Sequence, residues 1–241
     1  MRALEWRKNK MTTQKTFDYL YAIAKHLPAD ALKNYEFCIK HPEDAQKIAD
    51  VADDLGALVA VFMLELERES IADSAKKCGK LDRLKAAQRI IKSAKTQPRP
   101  GLWGYWKNAD GMQCICDTFH AARLSEPLDL EPIHENATTI DIDNIFKFSQ
   151  NNRDALNLPD VPTLKTYIKT EKSRLKTNNQ KTVPVYDFGD GLPLVNAQML
   201  LDLLELLPDA TATANGERGN IYFSSAVGDG ILCPISKSAR R

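Results

Sequence analysis

Two short stretches constrain this chain more than anything else in it. Ala87-Gln88-Arg89-Ile90-Ile91 and Ala197-Gln198-Met199-Leu200-Leu201 each sit inside a helical apolar pattern. Each is followed by a strand pattern broken at an Asp-Gly turn signal, at Asp110-Gly111 and at Asp229-Gly230. The distance from alanine to turn is 23 residues in the first copy and 32 in the second, so the second carries a longer loop. A helix followed by strand, turn and strand, occurring twice, is how pseudo-symmetric folds are built from one supersecondary unit. The expected class is therefore α+β.

The helices can be read residue by residue. In Leu81 to Ala94, the residues Leu84, Ala87, Ile90 and Ile91 recur at helical spacing and are expected inward. Asn196 is an N-cap for a helix running to Leu207, which Pro208 stops. The first third of the chain also reads as helix. Phe17, Leu20, Tyr21, Ala24 and Leu27 share a face before Pro28, and a second helix is expected over Asp30 to Lys40. A third, from Pro42 to about Arg68, opens with proline in its first turn and acids beside the positive end of the helix dipole. These define an N-terminal helical bundle over residues 1–75, with 1–10 a flexible arm, and a second domain over 76–241.

Charge changes sign at that boundary. Glu43 to Asp73 carries nine acids and two bases, whereas Lys76 to Arg99 carries nine bases and one acid, Asp82. The net charge is only +1, so any pull toward nucleic acid must come from a local patch of this kind. No membrane span is expected, because the apolar run Ala57 to Met63 is far short of the about 20 residues needed. The basic start is followed by no signal-length apolar run, and five cysteines without a Cys-x-x-Cys pair fit free thiols in a reducing cytoplasm. The expected location is cytoplasmic.

From Gly101 the pattern turns to strands. Asn108-Ala109-Asp110-Gly111 is a hairpin signal between the strand patterns "LWGYW" and "MQCICDTFHAARL", and Met112, Cys114 and Cys116 alternate with Gln113, Ile115 and Asp117. "TTIDIDNIFKFSQNN" reads as a short strand entering a helix, and "LPDVPTLKTYIKT" as another strand. Lys165 to Lys181, with six bases and one acid, reads as a basic loop or hairpin. "NIYFSSAVGDGILCPI" reads as a closing hairpin whose tight turn is Gly228-Asp229-Gly230, while Gly189-Asp190-Gly191 reads as an entry loop. Neither Gly-Asp-Gly has the Lys-Ser/Thr that a phosphate-binding P-loop needs.

Two segments carry a family resemblance. "PLVNAQMLLDLLELLPDATATANGERGNIYFSSAVGDGILCPI" resembles the last module of the DNA sliding clamp family, typified by the bacterial DNA polymerase III beta subunit. It has a strand entering a helix that ends in Leu-Leu-Pro, a strand, a tight turn, and an apolar strand. Cys233-Pro234-Ile235 stands where the bacterial clamp has a Met-Pro step. "LDRLKAAQRIIKSAKTQPRPGLWGYWKNADGMQCICDTFHAARL" resembles another module, with Asp117 where clamps often keep an aspartate. The resemblance covers residues 80–236 and leaves the N-terminal helices aside. A full clamp chain is longer, and this one has room for one complete clamp domain or at most three half-units.

The resemblance implies a DNA-clamp-like domain of repeated strand-helix-meander units, and a non-enzymatic protein that binds double-stranded DNA, or a DNA polymerase, nuclease or other DNA-processing protein. A homo-oligomer is compatible with it. In a clamp, helices that face DNA are basic. Arg83, Lys85, Arg89, Lys92 and Lys95 are the expected DNA-binding residues, on the outer positions of Leu81 to Ala94. The alternative is that this run pairs with the acidic helix before it or is simply solvated. The second helix carries Asp202 and Glu205 and no base, against a complete electropositive channel. By resemblance, partner peptides map to Leu232, Pro234 and Ile235 on the terminal strand.

The remaining candidates have structural alternatives. Asp117 and His120, three apart on a strand, point to opposite faces unless the strand bends. Asp141 and Asp143 either share a divalent ion on one face, or Asp143-Asn144 caps the following helix. Cys38, His41 and Cys78 are scattered zinc-type ligands, and buried free thiols are common. Trp103, Tyr105 and Trp106 either stack on bases or form the core face of a meander. No catalytic residue, metal site or cofactor is assigned. The competing function is a phage or mobile-element inhibitor that blocks a host nuclease or replication factor, by protein contact or by DNA mimicry through the acidic helix Glu43 to Asp73.

Overall fold

A computed structural model of the chain describes residues 60–61, 63–178 and 182–235. The chain divides between Ser74 and Ala75 into two units. In the first, residues 60, 61 and 63–74 are helical. The helices expected before residue 60, the acidic helix for most of its length, Cys38 and His41 lie outside the described residues. The remaining described elements belong to the second unit.

Its first helix, α1, spans Leu81–Ala94, the expected bounds. A 3-10 turn, Pro100–Leu102, leads to a meander of β1 (Trp106–Lys107), β2 (Gln113–Cys116) and β3 (His120–Leu124). The β1–β2 hairpin turns where Asn108-Ala109-Asp110-Gly111 predicts, with Gly111 at φ +77. That left-handed angle is open to glycine without the Cβ penalty other residues meet. Then come α2 (Asp143–Ser149), β4 (Asp154–Leu156) and α3 (Val161–Thr177). The hairpin β5 (Val185–Asp187) and β6 (Leu194–Asn196) feeds α4 (Ala197–Leu206). A second meander closes the chain: β7 (Thr211–Ala214), β8 (Ile221–Ser225) and β9 (Gly228–Leu232).

Seven strands form one antiparallel sheet in the order β1-β2-β3-β9-β8-β7-β4. The last strands of the two meanders meet at its centre, with Ala122 opposite Gly230 and Leu124 opposite Gly228. The fold is α+β, with α1 and α4, the helices preceding the two meanders, packed against each other. α4 covers β9, where Gly230 faces the Leu203 and Leu207 methyls, and α1 covers β2. α3 packs on the other flank of α4. The opposite face of the sheet is closed by Leu102, Ile142 and Phe146 over Trp106, Cys114, Cys116, Ala121 and Ile231. Strand β3, covered on both sides, is buried at all five positions. Burying a side chain the size of Phe146 or Phe223 contributes about 2 kcal/mol each.

Several expectations need correction. Residues 161–177 form a helix and not a strand followed by a basic loop. The Asp160 carboxylate accepts the Thr163 N–H at 2.8 Å, Pro162 sits in the first turn, and Leu164, Ile168 and Leu175 are its buried face. That is a complete helix-start signal. Residues 138–142 form no strand before α2. The segment from Met112 to Leu124 is two strands, because Thr118 takes φ +78 and reverses the chain.

The Gly-Asp-Gly pair separates into two different objects. Gly189-Asp190-Gly191 lies in the β5–β6 loop, as expected of an entry loop. Gly228-Asp229-Gly230 is not a turn: the chain reverses at Ala226-Val227, and all three residues belong to β9. A Cβ on Gly228 would collide with the Arg123 carbonyl across the β3–β9 ladder, and one on Gly230 would lie 2.8 Å from Leu207 Cδ1. The glycines permit close approach of a strand and a helix, and Asp229 points to the opposite face.

Candidate nucleic-acid interface

The outward surface of the α1–α4–α3 layer holds the basic residues, arranged as stripes at helical spacing. On α1 the stripe is Lys85, Arg89 and Lys92, with Asp82 at its N-terminal end. On α4 it is Gln198, Asp202 and Glu205. On α3 it is Lys165, Lys169, Lys172 and Lys176. Hydrogen bonds tie them together. Arg89 Nε donates to Asp202 Oδ1 at 2.6 Å and Arg89 Nη2 donates to Glu205. Lys165 Nζ reaches the other Glu205 oxygen at 2.6 Å, and Lys172 Nζ donates to Gln198 Oε1 at 3.0 Å. Glu205 is thus met from both sides, which places the α1 and α3 stripes on one surface. Seven bases stand against three acids there: Lys85, Arg89, Lys92 and the four α3 lysines against Asp82, Asp202 and Glu205.

The five residues expected to contact DNA do not share one environment. Lys85 and Lys92 are exposed. Arg89 is engaged by the α4 carboxylates; burial opposes its charge, and Asp202 and Glu205 more than restore it, so its pKa is raised. Lys95 pairs with Glu131 at 3.3 Å on the surface. Arg83 is buried and does not occupy an outer position: its Nε donates to the Leu206 carbonyl at 3.1 Å, near the end of α4, and its Nη1 pairs with Glu126. The α4 acids that argued against an electropositive surface are half of an internal neutralisation. Their basic partner lies on α1, more than a hundred residues away in sequence.

The partner-binding expectation also changes. Leu232 is fully buried, in a strand paired on both sides, so neither its side chain nor a strand edge is open to a peptide. Pro234 and Ile235 are half-buried, and the Ile235 N–H donates to the Leu194 carbonyl at 2.7 Å.

A groove of about 440 Å³ runs between α3 and α4. The four α3 lysines and Gln198 line it, over Ile168 and Leu201. Sequence reading missed it by misassigning α3. The signal was present as lysines spaced four, three and four apart.

Two buried polar networks flank β3. Toward the helices, His120 Nδ1 lies 2.8 Å from Asp117 Oδ1, and Asp117 also accepts from Ser93 Oγ at 2.6 Å and from the His120 N–H at 2.9 Å. Burial opposes the Asp117 charge, and these hydrogen bonds outweigh it, so its carboxyl titrates below the usual range. The bend at Thr118 is what lets the two side chains meet. Ser93 binds Asp117 and not the imidazole, and His120 Nε2 is buried without a hydrogen bond, 3.9 Å from Asp202. That geometry lacks the serine-to-histidine contact of a hydrolytic triad. Toward the other face, Arg123 donates to Asp143 at 3.0 Å and Asp229 at 2.9 Å, with its guanidinium 4.1 Å from the centre of the Phe146 ring. Asp143 is therefore an anchor of α2. Asp143-Asn144 does not supply the expected cap: Ile142 holds the cap position, and Asp141 accepts the Asp143 N–H at 3.0 Å and the Asn144 side-chain amide at 3.0 Å.

Of the aromatic trio, Trp106 is core, whereas Trp103 is 39% exposed with its indole N–H on the Gln97 carbonyl. Burial pushes the Cys114 and Cys116 thiols up to about 11. Among the described residues, no three His, Cys, Asp or Glu side chains converge as metal ligands, and no helix is long and apolar enough to cross a membrane. No protein-family model, curated protein or solved structure matches the chain.

Proposed function

We propose that this is a non-enzymatic, clamp-like protein that engages double-stranded DNA, proteins that process DNA, or both. The observation that carries the reading is the outward stripe of α1. Lys85 and Lys92 stand exposed on it while Arg89, together with Lys165 of α3, balances the two α4 carboxylates. Without those partners Asp202 and Glu205 would repel a phosphate backbone; with them, the α1–α4–α3 surface carries seven bases against three acids. The order helix then three-stranded meander, met twice with the last strands adjacent, supports the clamp-like part of the reading.

A mobility-shift assay on the full chain at low salt tests it. Lys85→Glu with Lys92→Glu is expected to abolish most duplex binding, since two attractive contacts become repulsive. Arg89→Glu is a poor probe, because it strands the buried Asp202 carboxylate, leaves Glu205 to Lys165 alone and perturbs the packing of α4. No shift with the wild-type chain, or an unchanged shift in the double variant, rejects the reading.

A second reading has its own support. Phe148, 79% exposed, and Ile145, 42% exposed, lie on the outer side of α2, an apolar surface suited to a protein partner. A phage or mobile-element inhibitor of a host nuclease or replication factor would use such a surface. Light scattering separates the two: a ring-sized oligomer favours the clamp, and a monomer forming a stoichiometric complex with a nuclease favours the inhibitor.

A further inference from the structure

We infer that the α3–α4 groove is a second phosphate-backbone site, and that α3 extends the DNA-binding surface sideways so that one copy of this chain holds a duplex on an open face. The inference rests on the reading of the α1 stripe as a DNA contact, and adds a site outside it.

Most of the α3 charge has no internal use. Among the described residues, no ion pair involves Lys169, Lys172 or Lys176, and the Lys172 hydrogen bond to Gln198 leaves its charge unneutralised. The one acid of α3, Glu171, is turned away and paired with Arg174 at 2.8 Å. Lys165 shares Glu205 with Arg89. Three lysines outside any ion pair, held on one face of a 17-residue helix, concentrate positive potential along a line.

The dimensions fit a nucleic-acid strand. Lys165 to Lys176 spans about 16 Å of helix axis. A strand of duplex DNA places a phosphate about every 3.4 Å of its axis, so about five phosphates pass along that length. Ser173 also lines the groove, but its hydroxyl donates to the Lys169 carbonyl at 3.1 Å, so the lysines are the contacts to phosphate. The lining contains no aromatic ring, which single-strand sites use to stack bases, and no arginine fork for reading a base edge. Lysine point charges in an open groove suit a backbone contact without sequence preference. The Lys165–Glu205–Arg89 bridge joins this groove to the α1 stripe, so one duplex meets both.

The test is the salt dependence of binding, read by fluorescence anisotropy on the full chain with a short labelled duplex. Competitors are the same-length single strand and poly-L-glutamate. The triple variant Lys169→Gln, Lys172→Gln, Lys176→Gln removes three charges from the groove. Its slope of log affinity against log salt is expected to be shallower than wild type by about 2.7, at about 0.9 for each phosphate no longer neutralised. The Lys85→Gln, Lys92→Gln variant should show its own, separate decrease. A triple-variant slope equal to wild type, with the α1 variant reduced, overturns the groove and leaves the α1 reading standing. A wild-type chain that binds no duplex removes both. Tighter binding of the single strand overturns the assignment to a duplex. Displacement of duplex by poly-L-glutamate, with loss of poly-L-glutamate binding in the triple variant, reassigns the groove to an acidic protein.

Discussion

Single residues in this chain act through what they permit across the sheet as much as through what they touch. Gly230 has no side chain because the Leu203 and Leu207 methyls occupy the space above it. Gly230→Val would drive a branched side chain into that contact and is expected to cost about 2 kcal/mol, within the usual range for overpacking a core. Thermal denaturation checks it, and an unchanged midpoint would show that α4 does not press on β9 as described. Asp229, between the two glycines, faces the other way and holds Arg123. The tripeptide thus serves helix packing and a buried ion pair at once, a division invisible when the letters are read as a turn. Asp117 is similar. Its spacing from His120 excludes contact on a straight strand, and a positive φ at Thr118 makes the contact possible.

At the scale of elements, α1 and α4 were legible because helix ends are local chemistry. Asn196 accepts the Gln198 N–H at 2.9 Å, the cap its position predicts. The inward set Leu84, Ala87, Ile90 and Ile91 is buried throughout. α3 carried equally local signals in Asp160, Pro162 and the apolar spacing. They were obscured by the density of lysine and threonine on its exposed sides. Asp160→Ala should leave the Thr163 N–H without its cap. Faster amide exchange at Thr163 and Leu164, with the rest of the unit unchanged, is the expected result. Exchange rates equal to wild type would mean that packing on α4, and not the cap, sets the start of α3.

For the whole molecule, carboxylates paired across the fold make acid stability a global property. Asp117, Asp143 and Glu126 all titrate below their ordinary values. For Asp117 burial opposes the shift and the hydrogen bonds from His120 and Ser93 prevail; for Asp143 the Asn108 amide leads; for Glu126 the Lys80 and Arg83 hydrogen bonds lead. In the unfolded chain these groups take up protons at higher pH than in the fold. Stability is therefore full above the ordinary carboxylate range and falls as pH drops through it toward the lowered values. A urea titration series should show the midpoint falling across that acid window. Asp117→Asn should flatten part of the fall; an unaltered slope would place the acid sensitivity elsewhere. The arrangement of the sheet is global too. No local pattern states that β3 pairs with β9, yet that junction sets the two helices side by side and brings Arg89 to the α4 acids.

The α+β class, the extents of α1 and α4, and the first hairpin follow from the order of residues, because caps, apolar period and turn chemistry act within a few positions. Which charges are free is settled only by folding. Arg83, Lys85, Arg89, Lys92 and Lys95 are equivalent as letters, and what separates them is burial and the carboxylates that the fold brings to them. Arg89 meets Asp202 across 113 residues and Arg83 meets Glu126 across 43. Electrostatic partnership depends on distance in space, so the basic surface left outside ion pairs is defined only once those pairs have formed.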